Sequence, residues 1–199
     1  MGVEIRLAVA ADAPAIGEVF ARAFANDPVT SWVTPDPMRR VRLLRRLNTL
    51  IAHYEGIPHG ATYVAGDGTE VVGAAIWQPP GRHPVTASSI PFSLRAGRAI
   101  GRDIPRMISA GRAAAAARAR NGGWYLQLLG VDPRAQNTGI GSALVREQLR
   151  IIDDQRSPAT LETTVENLPF YRHLGFEPVG EIVIGRGAPL EYSLLRPES

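Results

Sequence analysis

The period of the apolar positions changes several times along the chain, and each change marks an element. Residues Glu4 to Ala8 read as a short strand. Asp12 and Pro14 then open a run in which Ile16, Val19, Phe20, Ala23 and Phe24 recur at helical spacing. This predicts an amphipathic helix capped by Asp12 and stopped near Asn26-Asp27-Pro28. A second helix is predicted from about Pro37 to Tyr54, with Val41, Leu44, Leu47, Leu50 and Ile51 as its buried stripe. Thr62 to Ala65 and Glu70 to Trp77 read as the two strands of a hairpin around GDGT, ended by Pro79-Pro80-Gly81. From about Pro84 to Arg120 the chain is rich in Ala and Arg and predicted mostly helical. Breaks at Pro91, Gly101 and Pro105 leave room there for a lid.

The C-terminal half carries a different pattern. WYLQLLGV is apolar on both faces, which predicts a central strand. A glycine-bearing loop and a helix from about Gly139 to Asp154 follow, then a strand from Ala159 to Thr164. NLPFYRHLGF reads as a short helix and turn, and Pro178 to Leu195 as a closing hairpin. The sum is an α/β chain with one central sheet, read as a single domain over residues 1–199.

Composition removes several classes of chemistry. The sequence holds no cysteine, which excludes disulfides, thiolate metal sites and a Cys nucleophile. His53, His59, His83 and His173 show no ligand spacing, so no metal is expected. The pI of about 9.8 comes from arginine alone, for no lysine occurs, and the arginines are scattered rather than striped. They read as solvated helix faces whose field favours a polyanionic ligand, with nucleic-acid binding the last-ranked alternative. Glu4 and the lack of a long apolar run argue against a signal peptide, Arg6 against myristoylation of Gly2, and no segment approaches a membrane span. A soluble, cytoplasmic protein, monomer or homodimer, is expected.

The chemistry concentrates in GVDPRAQNTGIGSALV, residues Gly130 to Val145. Glycines at the mouth of a helix mean an unusual backbone conformation or a very close neighbour. A P-loop is excluded, because Ser142 and not lysine follows Gly141. A dinucleotide motif starting at Gly139 meets Leu144 where its third glycine belongs, although Glu162 lies at the distance of a ribose-binding acid. Residues Asp132 to Thr138 also separate the strand from the first glycine, where that motif turns at once. An acyl-CoA pyrophosphate site needs Gln-x-x-Gly-x-Gly, met by Gln136, Gly139 and Gly141. The unpaired N–H groups of a helix's first turn would then receive the phosphates. A bare strand-to-helix connection accounts for the glycines as well.

LLGVDPRAQNTGIGSALV and ENLPFYRHLGF resemble motifs A and B of the GNAT superfamily of acetyltransferases, in the family's order and separation. AFANDP, AAIWQPP, LETT and NLPFYRHLGF resemble the puromycin N-acetyltransferase branch in particular, over nearly the whole chain. The family often has a glycine where Asn137 stands, and Asn is the residue that best tolerates positive φ in its place. The resemblance implies a mixed, mostly antiparallel sheet whose central strands splay apart, with flanking helices. It implies acetyl-CoA as cosubstrate. The backbone of Leu129 and Val131 would pair with the pantetheine arm, and the N–H groups of Asn137, Thr138, Gly139, Ile140, Gly141 and Ser142, after Gln136, would hold the pyrophosphate. Leu129 N–H would polarise the acetyl carbonyl, and Asn167, a cap for the short helix, would also face the pantetheine. Gly130 is expected to mark a bulge that opens the gap.

Acetyl transfer to an amine needs a base for the ammonium, a donor for the developing oxyanion and an acid for the departing thiolate. Tyr171 stands where the family places its acid; Phe170 is expected to fill the core and leave Tyr171 facing the gap. Glu162, mid-strand between Leu161 and Thr163, is the candidate base, or else an acid paired with arginine. Phe24, Asp27, Trp32, Trp77, Trp124 and Tyr125 are candidates for an aromatic acceptor pocket, of which Trp32 and Tyr125 are taken forward. The expected activity is transfer of acetyl to a primary amine of a small molecule, an aminonucleoside antibiotic or aminoacyl-like compound. The alternatives are a protein or peptide amine as acceptor, or an acyl-CoA sensor without turnover.

Overall fold

A computed structural model of the protein describes residues 3–81, 95, 97 and 101–198, without the side chains of Arg102 and residues 119–121. Seven strands form one continuous sheet in the order β1-β2-β3-β4-β5-β7-β6. They are β1 (Glu4–Leu7), β2 (Thr62–Gly66), β3 (Val71–Gln78), β4 (Trp124–Val131), β5 (Ala159–Thr164), β6 (Glu177–Val183) and β7 (Leu190–Arg196). All neighbours run antiparallel except β4 and β5. The helices are α1 (Ala13–Ala23), α2 (Pro28–Val33), α3 (Pro37–Ile51), α4 (Ile104–Asn121), α5 (Ile140–Asp154) and α6 (Leu168–Arg172). Of the lid candidate, residues 84–94, 96 and 98–100 lie outside the described residues.

The sheet separates two apolar layers. On one face α5 lays Leu144, Val145, Leu149 and Ile152 against Trp77, Leu126, Ala159 and Leu161. On the other, α1 lays Ile16 and Phe20 against Val64, Ala74 and Ile76. β4 is central because both faces are covered, as its unbroken apolar run predicts.

Several local expectations need correction. Asp12 does not cap α1: its carboxylate turns back to accept from Val9 N–H and from both terminal nitrogens of Arg6. Asp27-Pro28 ends one helix but also starts the next, with Asp27 accepting from Thr30 N–H at 2.8 Å as the N-cap of α2. The buried stripe of α3 is Arg40, Leu43, Leu44 and Asn48. Arg40 is drawn inward by the carbonyls of Ala25 and Thr34, which it satisfies at 2.7 and 2.9 Å. The bulge in β4 falls at Gln127, where Ile76 faces Leu128 and Trp77 faces Leu126. Gly130 is instead a packing glycine: a Cβ there would stand 2.6 Å from the ring of Phe20.

Candidate acetyl-CoA and acceptor site

β4 and β5 pair only at their first residues, Trp124 with Ala159 and Tyr125 with Thr160. Beyond these the two strands share no pairing, so a gap opens in the middle of the sheet. One rim of it is the β4 backbone from Leu126 to Val131, which includes Leu129 and Val131, both half-buried. The loop after β4 is pinned by the buried Asp132, which accepts from Arg22 Nε at 2.6 Å and from Arg134 Nε and backbone N–H at 3.0 Å. Those arginines hold its carboxyl well below the usual carboxylate range. The Gln136 amide donates to Val131 O at 3.1 Å and Thr138 Oγ1 to Ala135 O at 2.7 Å, which folds the loop over the end of β4.

That fold presents a helix mouth. Asn137 and Gly139 adopt φ of 62° and 85°. Gly139 is the N-cap of α5 and brings no side chain to it, so the N–H groups of Ile140, Gly141 and Ser142 lack both a helical partner and a capping group. Among the described residues nothing stands within 4 Å of where a Gly139 Cβ would be, and a Gly141 Cβ would meet Phe170 and Val131 at ordinary contact distance. Gly139 is therefore required by its φ and leaves open space at the positive end of α5. Residues 136–139 are exposed.

Across the gap, Glu162 projects from β5. Its side chain is 7% exposed. The Tyr125 hydroxyl donates to Glu162 Oε2 at 2.7 Å, and Arg118 Nη1 of α4 lies 3.8 Å from the same oxygen. The Arg118 guanidinium sits 4.2 Å over the Tyr125 ring. Burial pushes the Glu162 carboxyl up to about 7, against the opposing pull of Arg118 and Tyr125. Glu191 on β7, pushed up to about 7 by burial and then by Glu162 and Asp27, shares this pocket, and burial raises Asp27 as well. Of the two expectations for Glu162 the structure shows the arginine-paired acid, its carboxyl held up toward neutrality by burial. Tyr125 holds this carboxylate and is not a free pocket wall.

Tyr171 lies in α6 and is 9% exposed, while Phe170 is only half-buried. The expected order of burial is reversed. Tyr171 meets Phe170 and Phe176 edge-on, with ring centroids 4.9 and 6.0 Å away. Among the described residues nothing hydrogen-bonds its hydroxyl, and burial keeps the phenol protonated well above its ordinary range. Asn167 occupies the cap position of α6 but makes no capping bond, so its exposed side chain is left over for another partner.

Among the described residues each of the other candidate acceptor aromatics is engaged by its own neighbours. Trp77 is wholly buried in the core, and Trp124 is buried with its indole donating to Gln155 Oε1 at 2.9 Å. Phe24 stacks on Phe20. Trp32 packs under Arg106 and against the β6–β7 connection, donating to Arg186 O at 3.4 Å. Sequence reading missed Arg118 and Glu191, whose proximity to Glu162 exists only once α4 and β7 are docked.

A family profile described as "Acetyltransferase (GNAT) domain" matches residues 98–178, the stretch that holds the loop, Glu162 and α6. The fold is similar over 100% of this chain and 98% of the other to an acetyltransferase from Corynebacterium glutamicum, described with histone acetyltransferase HPA2, at 29% identity and a TM-score of 0.72. It is also similar to a Drosophila melanogaster polyamine N-acetyltransferase that forms N-acetylagmatine, at 14% identity and TM-score 0.64, over 98% and 100% of the chains. PaiA N-acetyltransferase from Thermoplasma acidophilum, solved with coenzyme A, is 14% identical with TM-score 0.60, over 99% of both chains. The splayed sheet and the helix mouth agree with these likenesses: the chain has the GNAT fold, and residues 98–178 match the acetyltransferase domain profile.

Proposed function

We propose that this protein transfers acetyl from acetyl-CoA to a primary amine of a small molecule, with Glu162 as base and Tyr171 as acid. The observation that carries this reading is Glu162 itself, a buried carboxylate beside the β4–β5 gap with one oxygen fixed by Tyr125 at 2.7 Å. The residues present suit acetyl-CoA: the open N–H groups of residues 137–142 at the mouth of α5 suit a pyrophosphate. The backbone of Leu129 and Val131, which β5 leaves unpaired on the gap side, suits the amides of a pantetheine arm, which the left-over Asn167 side chain would join. Leu129 N–H would meet the acetyl oxygen as it gains charge.

Glu162, directly or through one water, removes the ammonium proton so that nitrogen attacks the thioester carbonyl. As the C–S bond breaks, Tyr171 donates to the sulfur; its burial keeps it in the protonated form that an acid needs. A carboxylate only 7% exposed is reached by a slim amine more readily than by a folded protein surface. The likeness of AFANDP and LETT to the puromycin branch supports an aminonucleoside or aminoacyl-like acceptor, and the name of the Drosophila relative supports a polyamine. We place the reaction in the cytoplasm, in a one-domain monomer or homodimer that uses no metal.

Thiol release from acetyl-CoA tests this across puromycin, aminoacyl analogues, agmatine, spermidine and short basic peptides. Turnover on a small amine that is lost in Tyr171→Phe and Glu162→Gln supports the reading. Turnover on peptides alone supports a protein acceptor, the reading favoured by the name of the Corynebacterium protein. Tight CoA binding with no thiol release from any amine would support a sensor.

A further inference from the structure

α4 is built to lie flat on the far half of the sheet. Ala110, Ala113 and Ala117 form a small-residue stripe that packs on Ile182 and Ile184, and Ser109 Oγ donates to Ile184 O at 2.6 Å. At its N-terminal end Arg106 donates to Trp32 O at 2.8 Å, which ties the helix to α2. This seating delivers Arg118, one position past the stripe, to the point where β4 and β5 part. Its guanidinium lies 4.2 Å over the Tyr125 ring, and its Nη1 is 3.8 Å from the Glu162 oxygen that takes the Tyr125 hydroxyl. At 3.8 Å the contact is electrostatic rather than a hydrogen bond. The side chain is 18% exposed, so the attraction is weakly screened.

We propose that Arg118 is a positioning residue for acetyl transfer: stacked on Tyr125, it fixes Glu162 Oε2 and keeps that carboxylate available as base, so that turnover requires α4 to be seated. The proposal rests on Glu162 being the base. The groups that face Glu162 are Arg118 from α4, Tyr125 from β4 and Glu191 from β7, with Asp27 at the start of α2 acting on Glu191. Of these Arg118 is the cation. Without it Glu162 keeps one hydroxyl donor and a like-charged neighbour, and holds its proton to higher pH.

The test is a titration that needs no acceptor. The carboxyl 13C resonance of Glu162, assigned with Glu162→Gln, is followed against pH in wild type, Arg118→Met and Arg118→Lys, each first shown by thermal unfolding to be folded. The midpoint is expected to rise by about one unit in the Met variant and to return most of the way in the Lys variant. The acid limb of kcat/KM, with the most active amine of the panel, should move in step, giving about a fivefold loss at pH 7 that approaches tenfold at lower pH and closes above pH 9. An unmoved midpoint in Arg118→Met overturns the proposal, and so does a moved midpoint with an unmoved acid limb. Full activity of Glu162→Gln would instead overturn the base assignment beneath it.

Discussion

Replacing Glu162 by Gln should stabilise the protein at alkaline pH while it removes activity. Burial raises the carboxyl from 4.5 to about 7. Below pH 4.5 the folded and unfolded forms both carry the proton. Between the two values the folded form holds it and the unfolded form does not, so stability present at low pH is lost as pH rises through 7. Each pH unit of that interval is worth about 1.4 kcal/mol, which makes the ionised side chain cost the folded state about 3 kcal/mol. Gln keeps the shape and cannot ionise. Urea unfolding of both proteins at pH 5 and pH 8.5 should show the stability of Glu162→Gln relative to wild type growing by roughly 2 to 3 kcal/mol between the two pH values. Some slope will persist in the variant, since Glu191 titrates in the same range. Activity should fall about 10²- to 10⁴-fold. A stability difference that does not change with pH would mean that Glu162 titrates as an ordinary surface acid, and the argument for a poised base would collapse.

Other positions make separate demands. Gly139→Val meets no clash but forces a β-branched residue to φ 85°, so CoA affinity should drop at least tenfold by calorimetry, with about 1–2 kcal/mol lost in stability; unchanged affinity would count against the α5 mouth as the phosphate site. Gly130→Ala drives a methyl to 2.6 Å from the Phe20 ring and should cost about 1–3 kcal/mol in urea unfolding. Tyr171→Phe removes a hydroxyl that no described residue hydrogen-bonds, so stability should hold or rise while kcat falls about 100-fold at unchanged KM for acetyl-CoA. If kcat is unaffected, Tyr171 serves only to pack against Phe170 and Phe176.

What could be read from the chain follows the range of the physics. Strand pattern and the glycine-bearing start of α5 are local and emerge from residue type, whereas the positive φ of Asn137 is read from the glycine that the resembled family carries there. The splay of β4 from β5 likewise comes from the family resemblance, and the pairing that stops after Tyr125 and Thr160 bears it out. Side-chain fates set by tertiary docking were the least legible. Asp12 turns to Arg6, Gly130 yields to Phe20, and Tyr171 is more deeply buried than Phe170, because partners far along the chain decide each case. Tyr125 looked like a pocket aromatic, and only the arrival of Arg118 from α4 shows that it holds a carboxylate.

The account turns on where acetyl-CoA lies, and a crystal structure of the protein with coenzyme A measures that directly. The pyrophosphate is expected on the N–H groups of residues 137–142, with the pantetheine arm between β4 and β5 and its sulfur near the Tyr171 hydroxyl. Coenzyme A bound elsewhere, or with its thiol remote from both Glu162 and Tyr171, would contradict the mechanism drawn from this site.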